Sequence, residues 1–201
     1  MDLKRKKLTV GVIMMLFIFV LTGCDQLVLK TSVQPPVITF DGTEVILGET
    51  KLKTLIDGGF TRVINSTTDH LVGSSLPGMA FNHHLLYVTK GEEPKYAGLS
   101  LLNEDKNEQP LEDCVIYSIN YWMYLRGTSI VYPDILINQV NYRGYTMDQV
   151  KVAMEGKEIV SDDSGFLMLI DGDYRYTFKF DDSGEVVTID IEMEFPKHFS
   201  N

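Results

Sequence analysis

Two thiols, four imidazoles and 28 carboxylates are the side chains here that could carry covalent, metal or acid–base chemistry. The imidazoles are His70, His83, His84 and His198. His83 and His84 are adjacent, so on a strand they point to opposite faces and cannot grip one ion together. No His-x-x-x-His or Cys-x-x-Cys spacing occurs, which argues against a zinc site. Asp162-Asp163-Ser164-Gly165 and Asp181-Asp182-Ser183-Gly184 echo one another. Neither has the Asp-x-Asp-x-Asp-Gly spacing and distal Glu of a calcium loop, and turn formation accounts for both. Gly73-Ser74-Ser75-Leu76-Pro77-Gly78 lacks the spacing of a serine-nucleophile elbow and reads as a flexible loop. Glycine-rich phosphate cradles are missing, and no carboxylate pair is singled out for glycoside hydrolysis. The expectation is a chain with no metal, no cofactor and no catalytic constellation.

The thiols differ in setting. Cys114 opens a strand-like run beside Glu112 and Asp113, and acidic neighbours disfavour the reactive thiolate. Cys24 closes Leu21-Thr22-Gly23-Cys24, behind an apolar run from Leu8 to Leu21 and a basic start, Lys4-Arg5-Lys6-Lys7. That run is shorter than the roughly 20 residues a spanning helix needs. A positive start, a short apolar core and small residues before a cysteine are read as an export signal. These residues resemble the signal peptide and lipobox of a bacterial lipoprotein. The resemblance implies cleavage before Cys24, lipid on that residue, and a folded part held outside the cytoplasm at the cell membrane. Each buried methylene contributes about 0.8 kcal/mol, so two or three acyl chains anchor stably where one does not. Asp25 resembles an inner-membrane retention signal in a Gram-negative cell and carries no such meaning in a Gram-positive one.

Residues 1–23 hold four of the 18 basic and one of the 28 acidic residues, so residues 24–201 carry 14 against 27, a net charge of −13. Such a surface repels nucleic acid and anionic headgroups. Nucleic acid is excluded as a partner, and the acyl chains are left as the anchor. With Cys24 used for lipid, Cys114 has no partner within the chain, and stability must come from an ordinary core.

Residues 24–36, ending in Pro35-Pro36, read as the lipidated cysteine and a tether spanning at most roughly 40 Å. Beyond it the pattern is α+β: antiparallel sheet with short helices packed on one face. The folded part reads as one domain or as two fused similar units, divided as residues 37–126 and 127–196. In the first, Asp41-Gly42 signals a hairpin. A short helix follows, capped by Thr50, with Leu52, Leu55 and Ile56 inward and Gly58-Gly59 as its stop. Strands are expected at 60–64, 84–89, 97–102 and 114–125. On the last, Val115, Tyr117, Ile119, Tyr121 and Met123 form an apolar face. Cys114, Ile116, Ser118, Asn120, Trp122 and Tyr124 form a mixed one. In the second unit Thr146 and Gln149 make a capping box. Val150, Ala153 and Met154 share one helix face, and Gly156 ends the helix. A meander then runs through 166–170, 174–180 and 187–195. The Asp181–Gly184 loop sets Phe178 opposite Val187, Tyr176 opposite Ile189 and Arg175 opposite Asp190.

Gly144-Tyr145-Thr146-Met147-Asp148-Gln149-Val150, a helix and then a three-stranded meander are similar to the β-lactamase-inhibitor-protein-like fold and to envelope lipoproteins of the SmpA and OmlA type. The chain has Gly156-Lys157-Glu158 where those families continue with a Gly-x-Pro. The first half looks like uncharacterised lipoproteins of low-GC Gram-positive bacteria, which brings no activity with it. Trp122, Tyr124, Tyr142 and Tyr145 are the candidate partner-binding aromatics, because Tyr and Trp are enriched at binding surfaces. The expected function is a non-enzymatic binding module with an envelope protein as partner. A small-ligand carrier and an envelope hydrolase are the alternatives.

Overall fold

The structure, a computed structural model, describes residues 33–62, 75–82, 86–90, 97–123, 134–163 and 165–194. The first half contains β1 (Val37–Phe40), β2 (Thr43–Ile46), α1 (Leu52–Asp57), β3 (Thr61–Arg62), β4 (Ser75–Leu76), β5 (Ala80–Phe81), β6 (Leu86–Thr89), β7 (Ala97–Asn103), β8 (Gln109–Pro110) and β9 (Val115–Trp122). The second contains β10 (Ile135–Ile137), β11 (Val140–Asn141), α2 (Met147–Ala153), β12 (Glu158–Asp163), β13 (Phe166–Asp171), β14 (Tyr174–Phe180) and β15 (Val186–Met193). The signal-like segment, Cys24, all four histidines and Tyr124 lie outside the described residues.

The hairpin turns obey local backbone rules. Asp41 and Gly42 both take positive φ, 43° and 81°, the conformation a two-residue type I′ connection needs. Phe40 therefore pairs with Thr43. Asn138 and Gln139 do the same between β10 and β11, at 50° and 68°, and the Asn138 carboxamide accepts from Val37 N at 2.9 Å. That bond ties the second hairpin to the first. The result is a four-stranded sheet in the order β11-β10-β1-β2.

A nine-stranded antiparallel sheet dominates, in the order β12-β13-β14-β15-β9-β7-β6-β3, with β5 also paired to β7. Both larger sheets draw strands from each side of residue 126, and residues 33–201 cluster as one unit. Ser75–Leu76, expected as loop, pairs with Gln109–Pro110.

One buried cluster joins the elements. Phe40 stacks on Phe60 at 4.7 Å and meets Tyr121 edge-on at 5.9 Å. Tyr142 leans on Phe178 at 5.1 Å. Val150 of α2, Met154 at its C-cap, and Leu52 and Leu55 of α1 enter the same cluster. A fully buried Leu or Phe contributes roughly 1.5–3 kcal/mol. An exposed ion pair such as Lys53–Asp57 adds little, because water and salt screen it. The core, not the surface charge, decides stability.

Several expectations need correction. Thr50 does not cap α1: its hydroxyl accepts from Ile46 N at 2.8 Å, closing the turn after β2, and Lys51 stands at the cap without a side-chain bond. The capping box at Thr146 and Gln149 is present, but Ala153 is exposed while Val150 and Met154 are buried. Asp162 and Asp163 are not turn residues; they pair with Leu167 and Phe166 in β12.

The last hairpin keeps its faces but slips by two residues. Phe178 lies opposite Ile189, Tyr176 opposite Ile191 and Arg175 opposite Glu192. The cause is the loop. The Asp181 carboxylate accepts from Ser183 N, Ser183 Oγ and Glu185 N at 3.0, 2.6 and 3.1 Å. Gly184 takes φ 82°. Phe180 then pairs with Val186 and Lys179 with Thr188, so Val187 is the extra residue of a bulge.

The Ser183 hydroxyl, then the backbone donors, hold the Asp181 carboxyl below the usual range. A depressed carboxylate stabilises the fold above the unfolded value and loses that contribution as pH falls through the folded one. Solvent screening weakens these three hydrogen bonds to an exposed carboxylate, so Asp181→Ala is expected to cost about 0.5–1 kcal/mol at pH 7, a Tm drop of roughly 1–4 °C. The gap from the parent protein should shrink below about pH 4, and thermal melts across pH check both. An unchanged Tm at pH 7 contradicts this role.

Candidate functional site

Among the described residues, polar and aromatic groups gather in register on the face of the large sheet opposite the core. Two bulges shape it. Between β7 and β9, Ser100 pairs with Ser118 but Leu101 pairs with Ile116, so Tyr117 is left over. The expected alternation of β9 breaks there. Ile116, Ile119 and Tyr121 join the core, while Tyr117 packs with Leu102 in a separate cluster beside Phe81, Val115 and Met193. The Tyr117 hydroxyl donates to Asn82 O at 2.9 Å, and burial pushes its pKa up.

Cross-strand pairing arranges this face in rows. One reads Tyr87, Gly98, Asn120, Asp190, Thr177 and Met168. The next toward the Asp181 loop reads Trp122, Thr188, Lys179 and Phe166. On the other side lie Ser100, Ser118, Glu192, Arg175 and Ile170. Neighbouring strands sit about 4.8 Å apart and two residues along a strand add about 6.7 Å, so Tyr87 and Trp122, two strands and one row apart, start roughly 12 Å apart. Their rings nevertheless meet at 6.0 Å, tilted by 38°. Gly98 has no side chain to keep them apart, and a glycine inside a strand commonly marks such close approach.

Electrostatics separate the rows. Arg175 and Glu192 form an ion pair on adjacent strands. Asp190 lies directly across from Asn120 on β9, and Lys179 and Arg175 stand on the neighbouring β14. Burial still raises its pKa, and Glu192 adds to the rise. Ser100, Ser118 and Thr188 are buried polar residues beside it.

The sequence-picked aromatics do not form one site. Trp122 is on this face and half-buried. Tyr142 is a core residue, 2% exposed, with burial lifting its hydroxyl to about 12. Its side chain holds the fold and is turned away from any partner. Tyr145 meets it edge-on at 5.4 Å, and its carbonyl accepts from Val186 N, pinning the start of α2 to β15. Tyr145 also lines a shallow groove with Asp148, Gln149 and Val152. Tyr87, Asn120 and Asp190 escaped sequence reasoning as a group. The available signal was the mixed face of β9 together with the acidic alternation of β15.

Cys114 is buried, its Sγ 3.4 Å from Pro110 O. Burial first, and Asp113 second, push its thiol up to about 11, which keeps it protonated and unsuited to nucleophilic attack at neutral pH. Among the described residues no group of three or more His, Cys, Asp or Glu is placed to hold a metal ion. Comparison with protein-family models, curated proteins and solved structures returned no match.

Asp190 gives a signed pH test. A carboxyl whose folded pKa is raised stabilises the fold below the unfolded value and loses that contribution as pH rises through the folded one. Asp190→Asn keeps an acceptor for Asn120 and removes the shielded charge. The variant is expected to melt higher than the parent at pH 7 and to converge with it below about pH 4. Melting curves across that range check it, and a variant less stable at pH 7 contradicts the burial argument.

Proposed function

We propose that this chain is an exported lipoprotein, anchored to the cell membrane by lipid on Cys24, whose folded part is a non-enzymatic binding module for an envelope partner. The observation that carries the reading is Leu21-Thr22-Gly23-Cys24 behind a short apolar run and a basic start. Among the described residues no helix is long and apolar enough to cross a membrane. In this reading the short helices pack on one face of the large sheet, leaving the other for docking, and the halves around residue 126 are related units sharing their sheets. The β-lactamase-inhibitor-protein-like resemblance of the second half belongs to the same reading, since helix-backed sheets serve as docking surfaces. Function by fold alone is analogy, so the support rests on the side chains: the polar rows through Asn120 and Asp190, and a shielded Cys114.

Metabolic labelling with a radioactive or clickable fatty acid tests the anchor. The parent protein is expected to take up label, lose residues 1–23 and sediment with membranes. Cys24→Ala should take up none and accumulate as the uncut precursor. A Cys24→Ala protein that is processed and labelled normally contradicts the reading.

A further inference from the structure

We propose that the outer edge of β12 takes up an extended segment of a partner protein, as an added strand in which basic residues alternate with apolar ones. This rests on the reading of the folded part as an envelope binding module. It names a further contact of that module, at the sheet's edge and not on its face.

β12 ends the nine-stranded sheet and pairs only with β13 among the described residues. A terminal strand leaves one row of backbone N–H and C=O groups unpaired, and an extended chain can bond to that row. The other terminal strands of the two larger sheets are short: β2 has four residues, β3 and β11 two each. β12 has six, Glu158–Asp163, and five of them are exposed. Lysine and proline, which commonly blunt an edge, are absent from it. Ile159 and Val160 are each 49% exposed. With Val152 on α2, they are three of the four large apolar residues exposed among the described residues. The helix and the strand adjoin, since Lys151 of α2 reaches Asp162 of β12. Uncovered apolar surface is thus concentrated at this edge and the helix beside it. The bulge at Val160 twists the edge, which suits one short added strand and resists open-ended stacking of sheets.

The backbone makes the edge a place to bind, and the side chains choose the occupant. Ile159 and Asp162 lie opposite Leu169 and Leu167, on the core face. Glu158, Ser161 and Asp163 lie opposite Ile170, Met168 and Phe166, on the other face. Lys151 is taken up by Asp162 and Lys157 by Asp171. Among the described residues these pairs leave Glu155, Glu158 and Asp163 without a cation. A second copy of the chain fits poorly. Antiparallel pairing of β12 with itself about Val160 sets Glu158 against Asp162 at both ends, and like charges directly opposite destabilise a pair. Pairing about Ser161 sets Asp163 against Ile159 and Asp162 against Val160, carboxylate on hydrocarbon. A segment with Lys or Arg on one face meets Glu158 and Asp163 with opposite charge, and its apolar face meets Ile159.

The full-length protein in detergent would be titrated with a fluorescein-labelled peptide of about eight residues alternating Lys and Val, and with its Glu–Val counterpart, by fluorescence anisotropy. Saturable binding of the Lys–Val peptide is expected, about tenfold tighter than that of the Glu–Val peptide. Hydrogen exchange at the amides of residues 158–163 should slow when it binds. The double substitution Glu158→Lys with Asp163→Lys, at two exposed positions, should reverse the preference while the melting curve stays cooperative. Ile159→Ser should weaken the Lys–Val peptide. No saturable binding by folded protein, binding without protection of residues 158–163, or a preference that the double substitution leaves unchanged overturns the inference. So does a dimer by sedimentation in which those amides are protected without peptide, since the occupant is then a second copy. Fatty-acid labelling of Cys24 is independent of this titration. Label on Cys24 with no peptide binding sinks the edge contact alone, and peptide binding with no label sinks the anchor alone.

Discussion

The constraint from which the rest of this domain follows is that β9 is hydrogen-bonded along both edges. β7 takes one edge and β15 the other. Every strand of the C-terminal meander reaches β7 and β6 only through β9. Its inward side chains Ile116, Ile119 and Tyr121 are each no more than 1% exposed. Tyr121 also meets Phe40 of the smaller sheet, so β9 links the two larger sheets as well as the two halves. Long-range pairing of this kind carries a loop-closure cost before any contact repays it. The buried aromatic and aliphatic surface on β9 is what offsets that cost.

Two bulges turn this scaffold into a surface with a character of its own. At Tyr117 and at Val187 one strand carries an extra residue. A bulge bends the strand and re-aims side chains without losing the pairing beyond it. The first moves a tyrosine from the apolar face, where alternation would put it, to the polar one. The second, together with the Asp181 loop, sets Asp190 across from Thr177 rather than across from Arg175.

Much of the fold could be read from the sequence, for identifiable reasons. The strands with strict alternation, Tyr174–Phe180 and Val186–Met193, declare a period of two. Asp41-Gly42 declares its turn, and Thr146 with Gln149 declares a helix start, because each rests on local backbone chemistry. The misses are of a different kind. β12 is an edge strand, exposed along most of its length, with Ile159 and Val160 each 49% exposed and a bulge at Val160, so no apolar period marks it. The β10–β11 hairpin turns on Asn138-Gln139, whose positive φ is unusual without glycine. The two-residue slip of the last hairpin came from three hydrogen bonds to one Asp181 oxygen, which a loop-length argument does not see. The site was least legible of all. Trp122 stood out by type, but Tyr87, Asn120 and Asp190 are brought together only by pairing across four strands.

The central claim is that β9 makes residues on both sides of 126 one cooperative body. Equilibrium urea unfolding of the full-length protein tests it most directly, followed at once by Trp122 fluorescence, which reports β9, and by far-ultraviolet circular dichroism, which reports all strands. The account predicts a single transition with coincident midpoints from the two probes. Two separated transitions, with half the strand signal surviving after Trp122 is exposed, would contradict it.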